Sequence, residues 1–237
     1  MYPEPMGIAQ TNVPKRRPIR QVLAEMGVET NPYAGFDASQ FNLDLHGWHS
    51  THPLFEQVIA NRRPEVIIEI GTWYGASAIH MGKLLRKHSI AGTIVCVDTW
   101  LGNLPLMRME HYRRLLKRTH GMPSIYPQFL ANVIHSKLQE TLLPIPMTSV
   151  VTGRALRRER ATADFVYVDG SHNEQDVATD LAIYWELLAP GGVMMGDDYT
   201  TQYRGVVNAV NRFANEKGLK LLTNREKWLL EHPASSS

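Results

Sequence analysis

The chain reads as an α/β domain: seven short strands in a mostly parallel sheet with helices on both faces. Three observations predict it. VIIEIGTWYGAS, Val66 to Ser77, is an apolar run ending in Glu69, followed by glycines at Gly71 and Gly75 and then by helix-forming sequence. That is a buried strand, a tight turn and a helix start, the unit that seats a nucleotide-like ligand. TIVCVD, Thr93 to Asp98, is a second run rich in β-branched residues that ends in an acid. DFVYVDGSH and ELLAPGGVMMGDDY place two more apolar runs directly before Asp169 and before Asp197 and Asp198.

The elements follow in order. Residues 1–18 are rich in proline and polar side chains and are expected to be mobile or draped on a neighbour. Ile19 to Met26 fits a short helix stopped by Gly27, and the stretch from Asn31 to His46 has no clear period. HSTHPLFEQVIANRRPE reads as a helix with Thr51 as a possible cap. Strands are expected at Val66–Glu69 and Thr93–Asp98, then at Ser149–Thr152, Phe165–Val168, Val193–Met195, Leu219–Thr223 and Trp228–Glu231. Between the fourth and fifth, Val177, Leu181, Tyr184, Trp185 and Leu188 form one apolar helix face, with Ser171 and Glu174 as a capping pair and Pro190-Gly191-Gly192 as the stop. The segment 99–148 exceeds the single helix this arrangement needs. LMRMEHYRRLLKRTH and YPQFLANVIHSKL within it both look helical, so an insertion lies over the carboxyl rim as a lid, a substrate wall or an oligomer contact. The organisation is thus an extension at 1–45, a domain at 46–232 and a tail at 233–237 that should fray.

Length and composition bound the function. The 237 residues suffice for one sizeable domain, and a net charge of +2 is too small to argue for nucleic acid. The basic runs at Lys15-Arg16-Arg17, Arg113-Arg114 with Lys117-Arg118, and Arg154 with Arg157-Arg158 read as solvated faces. Cys96 is the only cysteine and falls inside a strand, which leaves no disulfide or zinc cluster within one chain. No membrane-length apolar stretch and no amino-terminal signal stands out, so a cytoplasmic protein without a membrane partner is expected.

The motif chemistry narrows the ligand. A dinucleotide site wants G-x-G-x-x-G, whereas this loop is E-x-G-x-x-x-G, and an acid there repels phosphate and suits a cationic or hydroxyl-bearing ligand. Asp98 at the second strand end is placed to accept from ribose hydroxyls. Strands joined by a helical crossover are normally parallel and close, so Asp169, Asp197 and Asp198 share a rim, within reach of one ion. Adjacent strand residues point to opposite faces. Asp197 and Asp198 therefore reach one ion only if the chain is leaving the strand; otherwise one of them caps the next element. His172 has a side chain suited to a base, with an unperturbed pKa of about 6.5. It is expected in the first helical turn, where the dipole disfavours the protonated ring; a surface histidine or a carboxylate holder is the other reading. Trp73 and Trp100 fit either ligand walls or core. His46, Trp48, His49 and His52 read as an entrance rather than a metal site.

These motifs resemble the class I S-adenosylmethionine-dependent methyltransferases. They are similar in particular to the metal-dependent small-molecule O-methyltransferases, which include catechol and macrolide or aminocoumarin sugar enzymes. The resemblance covers Gly47 to Glu231 and rests on EIGTWYGAS, VDTW, VDGSH, LLAPGG and GDDY. It implies a Rossmann-like fold whose final strand is antiparallel. It implies S-adenosylmethionine contacted by Glu69 at the methionine amine and by Ser77 at its carboxylate. Gly71, Thr72, Trp73 and Gly75 would line it, Asp98 would hold the ribose, and Trp100 and Asp169 would border it. It implies Mg2+ or Mn2+ on Asp169, Asp197 and Asp198, with Asp169 and His172 catalytic. The catechol enzymes carry a lysine where this chain has His172, which leaves the base open. The expected acceptor is a small-molecule hydroxyl, on a sugar or polyhydroxylated natural product before a catechol, and a homo-oligomer is expected. The alternatives are a binding protein that has lost its chemistry and another metal-dependent reaction such as hydroxylation. The latter would want two histidines with its carboxylate, and only His172 is near the acids.

Overall fold

The computed structural model describes residues 16–104 and 106–234. The amino-terminal arm up to residue 15 and the last three tail residues lie outside the described residues. The helices are α1 (Ile19–Glu25), α2 (Pro53–Arg62), α3 (Ala76–Lys87), α4 (Glu110–Leu115), α5 (Ile125–His135), α6 (Ser149–Arg158), α7 (Glu174–Trp185) and α8 (Arg204–Glu216). The strands are β1 (Val66–Ile70), β2 (Thr93–Asp98), β3 (Leu142–Pro146), β4 (Ala163–Val168), β5 (Leu188–Gly196), β6 (Leu222–Asn224) and β7 (Lys227–Glu231). They form one sheet in the order β3-β2-β1-β4-β5-β7-β6. β1 to β5 run parallel, and β7 is antiparallel to both β5 and β6. The strand order reverses between β1 and β4, which opens a crevice at the carboxyl ends of these strands.

Alternation along the strands divides the core. Ile68, Ile70, Val95, Val97, Val166, Val168 and Met194 pack with α6, α7 and α8. Ile67, Ile94, Cys96, Phe165, Tyr167 and Met195 pack on the other side with Phe55 of α2 and Ile79 of α3. The period of two puts Glu69 on this second face, under α3. Part of the expected extension is integral to the domain: Ile19, Val22 and Leu23 of α1 are buried in the first core cluster.

Several expectations need correction. Ser149–Thr152 is not the third strand but the first turn of α6, because the Thr148 side chain caps it by accepting from Val151 N. The strand is LLPIP, whose Pro144 and Pro146 are tolerated because β3 is an edge strand bonded only to β2. The expected helix across Leu106–His120 shrinks to α4, which buries none of its own residues and is followed by a left-handed Lys117. α2 is capped by His52, whose Nδ1 accepts from Leu54 N at 3.2 Å, and not by Thr51. α7 is capped by Asn173, so His172 stands outside the helix. Ser171 instead donates to Asp176 at 2.7 Å. Among the described residues, no helix is long and apolar enough to cross a membrane.

Candidate active site

The glycine turn is built by close backbone approach. Gly71 has φ +83°, and a Cβ there would lie 2.1 Å from the carbonyl oxygen of Asp169, so the ends of β1 and β4 meet only if this residue is glycine. Gly71 N donates to Val97 O at 2.9 Å and Asp169 N to Ile70 O at 2.9 Å, which ties three strand ends together. Gly75, also left-handed, opens α3. Glu69 is fully buried beneath this turn; Ser77 Oγ donates to its Oε1, while its Oε2 has no partner. The hydroxyl expected on a ligand carboxylate is therefore engaged with Glu69. That leaves the backbone N–H groups at the start of α3 to meet an anion.

Burial pushes the Glu69 carboxyl up to about 7 from its ordinary 4.5, against the opposing Ser77 hydrogen bond and the neighbouring Thr72 hydroxyl. A carboxyl with a raised folded pKa binds more protons folded than unfolded across that window, so Glu69 makes stability fall as pH rises from 4.5 to about 7. In thermal melts of the ligand-free protein across that range, Glu69→Gln should flatten the fall. An unchanged slope would show that Glu69 does not titrate there.

Asp98 ends β2 and fastens the turn: its Oδ2 accepts from Trp73 N and its Oδ1 from Trp100 N, each at 2.8 Å. Burial raises its pKa, outweighing the backbone hydrogen bonds that lower it. Thr72 and Trp73 line the same cleft, and Thr72 Oγ1 and Trp73 Nε1 are buried without partners. Trp100 is not a wall. Its ring is 2% exposed, packs on Tyr126 and Phe129, and donates from Nε1 to Trp73 O at 2.7 Å.

Asp169, Asp197 and Asp198 line the cleft at the ends of β4 and β5. β5 ends at Gly196 and Asp198 is left-handed, with φ 63°, so the chain has already left the strand at the paired acids. Each acid has its own partner. Lys227, fully buried at the start of β7, pairs with Asp197 and donates to Tyr167 Oη at 2.8 Å. Tyr167 Oη lies 3.3 Å from an oxygen of Asp169 and 3.3 Å from one of Asp197, and its single proton serves one of them. Burial and then repulsion from Asp197 hold the Asp169 carboxyl well above its ordinary range, with Lys227 opposing. Asp198 Oδ2 meets His172 Nε2 at 2.7 Å, and the His172 ring packs 4.0 Å from the Tyr203 ring. His172 thus faces a carboxylate rather than the positive end of α7.

Sequence reasoning missed Lys227, because a lysine opening a short strand reads as solvated. It also passed over the group formed by His49, Asp197 and Glu226, whose ligand-type atoms lie within 4.8 Å of one another. Nothing in the local sequence joins those three. Glycine turn, acids and entrance share one cleft of about 910 Å³. Its mouth carries Trp48 stacked on Tyr112, with ring centres 5.7 Å apart, so the 46–50 segment does form an entrance wall.

The unpartnered Glu69 Oε2, Thr72 Oγ1 and Trp73 Nε1 fit a ligand with both donors and acceptors beside the glycine turn. The oxygen donors of Asp169, Asp197 and Asp198 are of the type a hard divalent ion takes, but their ligand atoms do not all come within 4.8 Å of one another; among the described residues only those of His49, Asp197 and Glu226 do.

A family described as a methyltransferase domain matches residues 68–199, more than half of the chain. No curated protein matches. Solved structures do. An O-methyltransferase from Bacillus cereus in complex with SAH is 15% identical, with 93% of this chain and 92% of that chain covered and a TM-score of 0.53. TomG from Streptomyces achromogenes, an O-methyltransferase involved in tomaymycin synthesis and solved with SAM, is 16% identical over 92% of this chain and 96% of that chain, with a TM-score of 0.57. The calicheamicin methyltransferase CalS11 is 16% identical over 75% and 76%, with a TM-score of 0.56. At such identities the likeness is one of fold.

Proposed function

From the premise that this chain belongs to the methyltransferase-domain family matched over residues 68–199, we propose that it is an S-adenosylmethionine-dependent O-methyltransferase acting on a small-molecule hydroxyl. A sugar or polyhydroxylated natural product is the favoured acceptor class. The observation that carries this reading is the cleft in which the Gly71–Asp98 end, with Glu69 buried beneath it, adjoins Asp169, Asp197, Asp198 and His172.

The roles follow from position. Glu69 offers its unpartnered Oε2 toward the methionine amine, directly or through water. Gly71 admits the ligand close to the backbone, and Asp98 keeps lone pairs for ribose hydroxyls beside the two backbone donors it already accepts. His172 takes the acceptor's proton: with Nε2 on Asp198, Nδ1 is the open acceptor nitrogen. The three aspartates would hold Mg2+ or Mn2+; a bound divalent ion supplies a lowered hydroxyl pKa and a fixed position for that oxygen. The cleft walls orient acceptor and methyl donor so that displacement proceeds in line.

Calorimetry with S-adenosylhomocysteine tests the cofactor half. Asp98→Ala should weaken binding by about 1–3 kcal/mol, the scale of lost charge-assisted hydrogen bonds. Unchanged affinity in a folded variant would remove Asp98 from the site.

A further inference from the structure

The cleft is one-sided in charge. Seven carboxylates line it, and among the described residues no lysine or arginine does. Lys227 stands buried behind Asp197 and pairs with that carboxylate. Asp180, on the α7 wall, is 5% exposed, and its Oδ1 has no hydrogen-bond partner, so one of its oxygens is unmatched within the chain. Lys227, a divalent ion and the net positive charge of S-adenosylmethionine together leave the acids in excess. Like charges gathered in one cleft are unfavourable until cations enter it.

With the cofactor and acceptor ends as read above, on which the assignment rests, one acid at the acceptor end has no cation. Glu226 lies in the turn between β6 and β7, and one of its oxygens is within 4.8 Å of an oxygen of Asp197. Its side chain is 15% exposed, and His49 Nδ1 stands 3.7 Å from its Oε1, beyond hydrogen-bond length. Trp48, the chain neighbour of His49, is 47% exposed and stacks on Tyr112. Burial, and then the charges of Tyr203 and Asp198, raise the Tyr112 phenol, so this aromatic wall stands beside the acids. A carboxylate and aromatic faces around one space are the surroundings that hold an ammonium group. A phosphate entering the same space finds no lysine or arginine to pair with.

We propose that the acceptor is a hydroxyl-bearing amine, such as an amino sugar, whose ammonium group is held by Glu226 against the Trp48–Tyr112 wall. Glu226 is thereby a specificity-determining residue. Its closeness to Asp197 sets the amine within a few bonds of the reacting hydroxyl. Acceptors carried on a phosphate or a nucleotide are disfavoured by the same field.

The test is ligand-observed NMR titration of the protein loaded with S-adenosylhomocysteine and magnesium. The probes are methyl glucosaminide, methyl glucoside and methyl glucoside 6-phosphate. Wild type should bind the amine about tenfold or more tighter than the neutral sugar, the scale of one charge-assisted hydrogen bond, and the phosphate weakest. Glu226→Gln, which keeps the shape and removes the charge, should bring amine and neutral sugar to within about threefold, with melting curves establishing that the variant folds. Equal binding of amine and neutral sugar by wild type overturns the inference. So does a phosphate that binds as tightly as the amine, or an amine preference retained in folded Glu226→Gln. Calorimetry with zinc chloride separates the other use of this group: tight zinc binding that is lost in Glu226→Gln would assign His49, Asp197 and Glu226 to an ion and overturn the amine. If S-adenosylhomocysteine binds and no probe does at millimolar concentration, the acceptor assignment fails alone. If S-adenosylhomocysteine does not bind, the cofactor reading fails, and this assignment with it.

Discussion

Exhaustive chelation is expected to lower turnover to near background, with recovery on adding magnesium or manganese. The expectation rests on three carboxylates at the ends of two neighbouring parallel strands, all facing one cleft. Like charges gathered at one rim are unfavourable without cations, and burial with repulsion from Asp197 already pushes Asp169 well above its ordinary range. Removing the ion should leave S-adenosylhomocysteine affinity close to its starting value, because the Glu69–Asp98 end lies on other strands. Full turnover in the chelated enzyme would sink the proposal. It would favour a reading in which the chain's own groups suffice: Lys227 already pairs with Asp197, and the His172 ring already meets Asp198.

The second large effect is expected at His172. His172→Ala should lower turnover by about 10²–10⁴, the range for losing a positioned base, while cofactor affinity stays within about twofold. The geometry gives the reason. Asp198 fixes one ring nitrogen at 2.7 Å, Tyr203 packs on the ring, and α8 clamps the loop, since a Cβ on Gly205 would lie 2.4 Å from the His172 carbonyl oxygen. A ring held in this way presents Nδ1 in one place. Added imidazole should restore part of the lost rate if the ring transfers a proton. A variant that turns over at the wild-type rate would move the base elsewhere, with the aspartates of the cleft as the next candidates.

The two predictions draw on different layers of information. The acids that end β1, β2, β4 and β5 were readable in the chain, because an apolar run of strand length followed by a turn places its last polar residue on the rim whatever the rest does. The conformations of Gly71 and Gly75 were readable too, since a tight strand-to-helix turn requires left-handed backbone. The partner of each acid was not. His172 was assigned by spacing to a helical turn, yet Asn173 caps α7 and Asp198, from another strand, meets the ring. Asp180 did leave a trace: it sits at i+3 on the apolar stripe that begins at Val177, an acid where a core residue was due. That pattern marks a buried acid but does not say what it faces.

By itself, the sequence determined the alternating α/β architecture, the mostly parallel sheet, the glycine turn and the set of acids on its rim. Each follows from periodicity and turn chemistry within about ten residues of chain. Only the tertiary structure decided that LLPIP is the edge strand, that Ser149 opens a helix, that Trp100 is core, and that Lys227 lies beneath Asp197. Those outcomes depend on contacts between residues distant in the chain. Lys227 is buried because Phe55 and Tyr167 cover it from other elements and Asp197 matches its charge. Burial, charge pairing and edge position are properties of the packed sheet, and no window of sequence contains them.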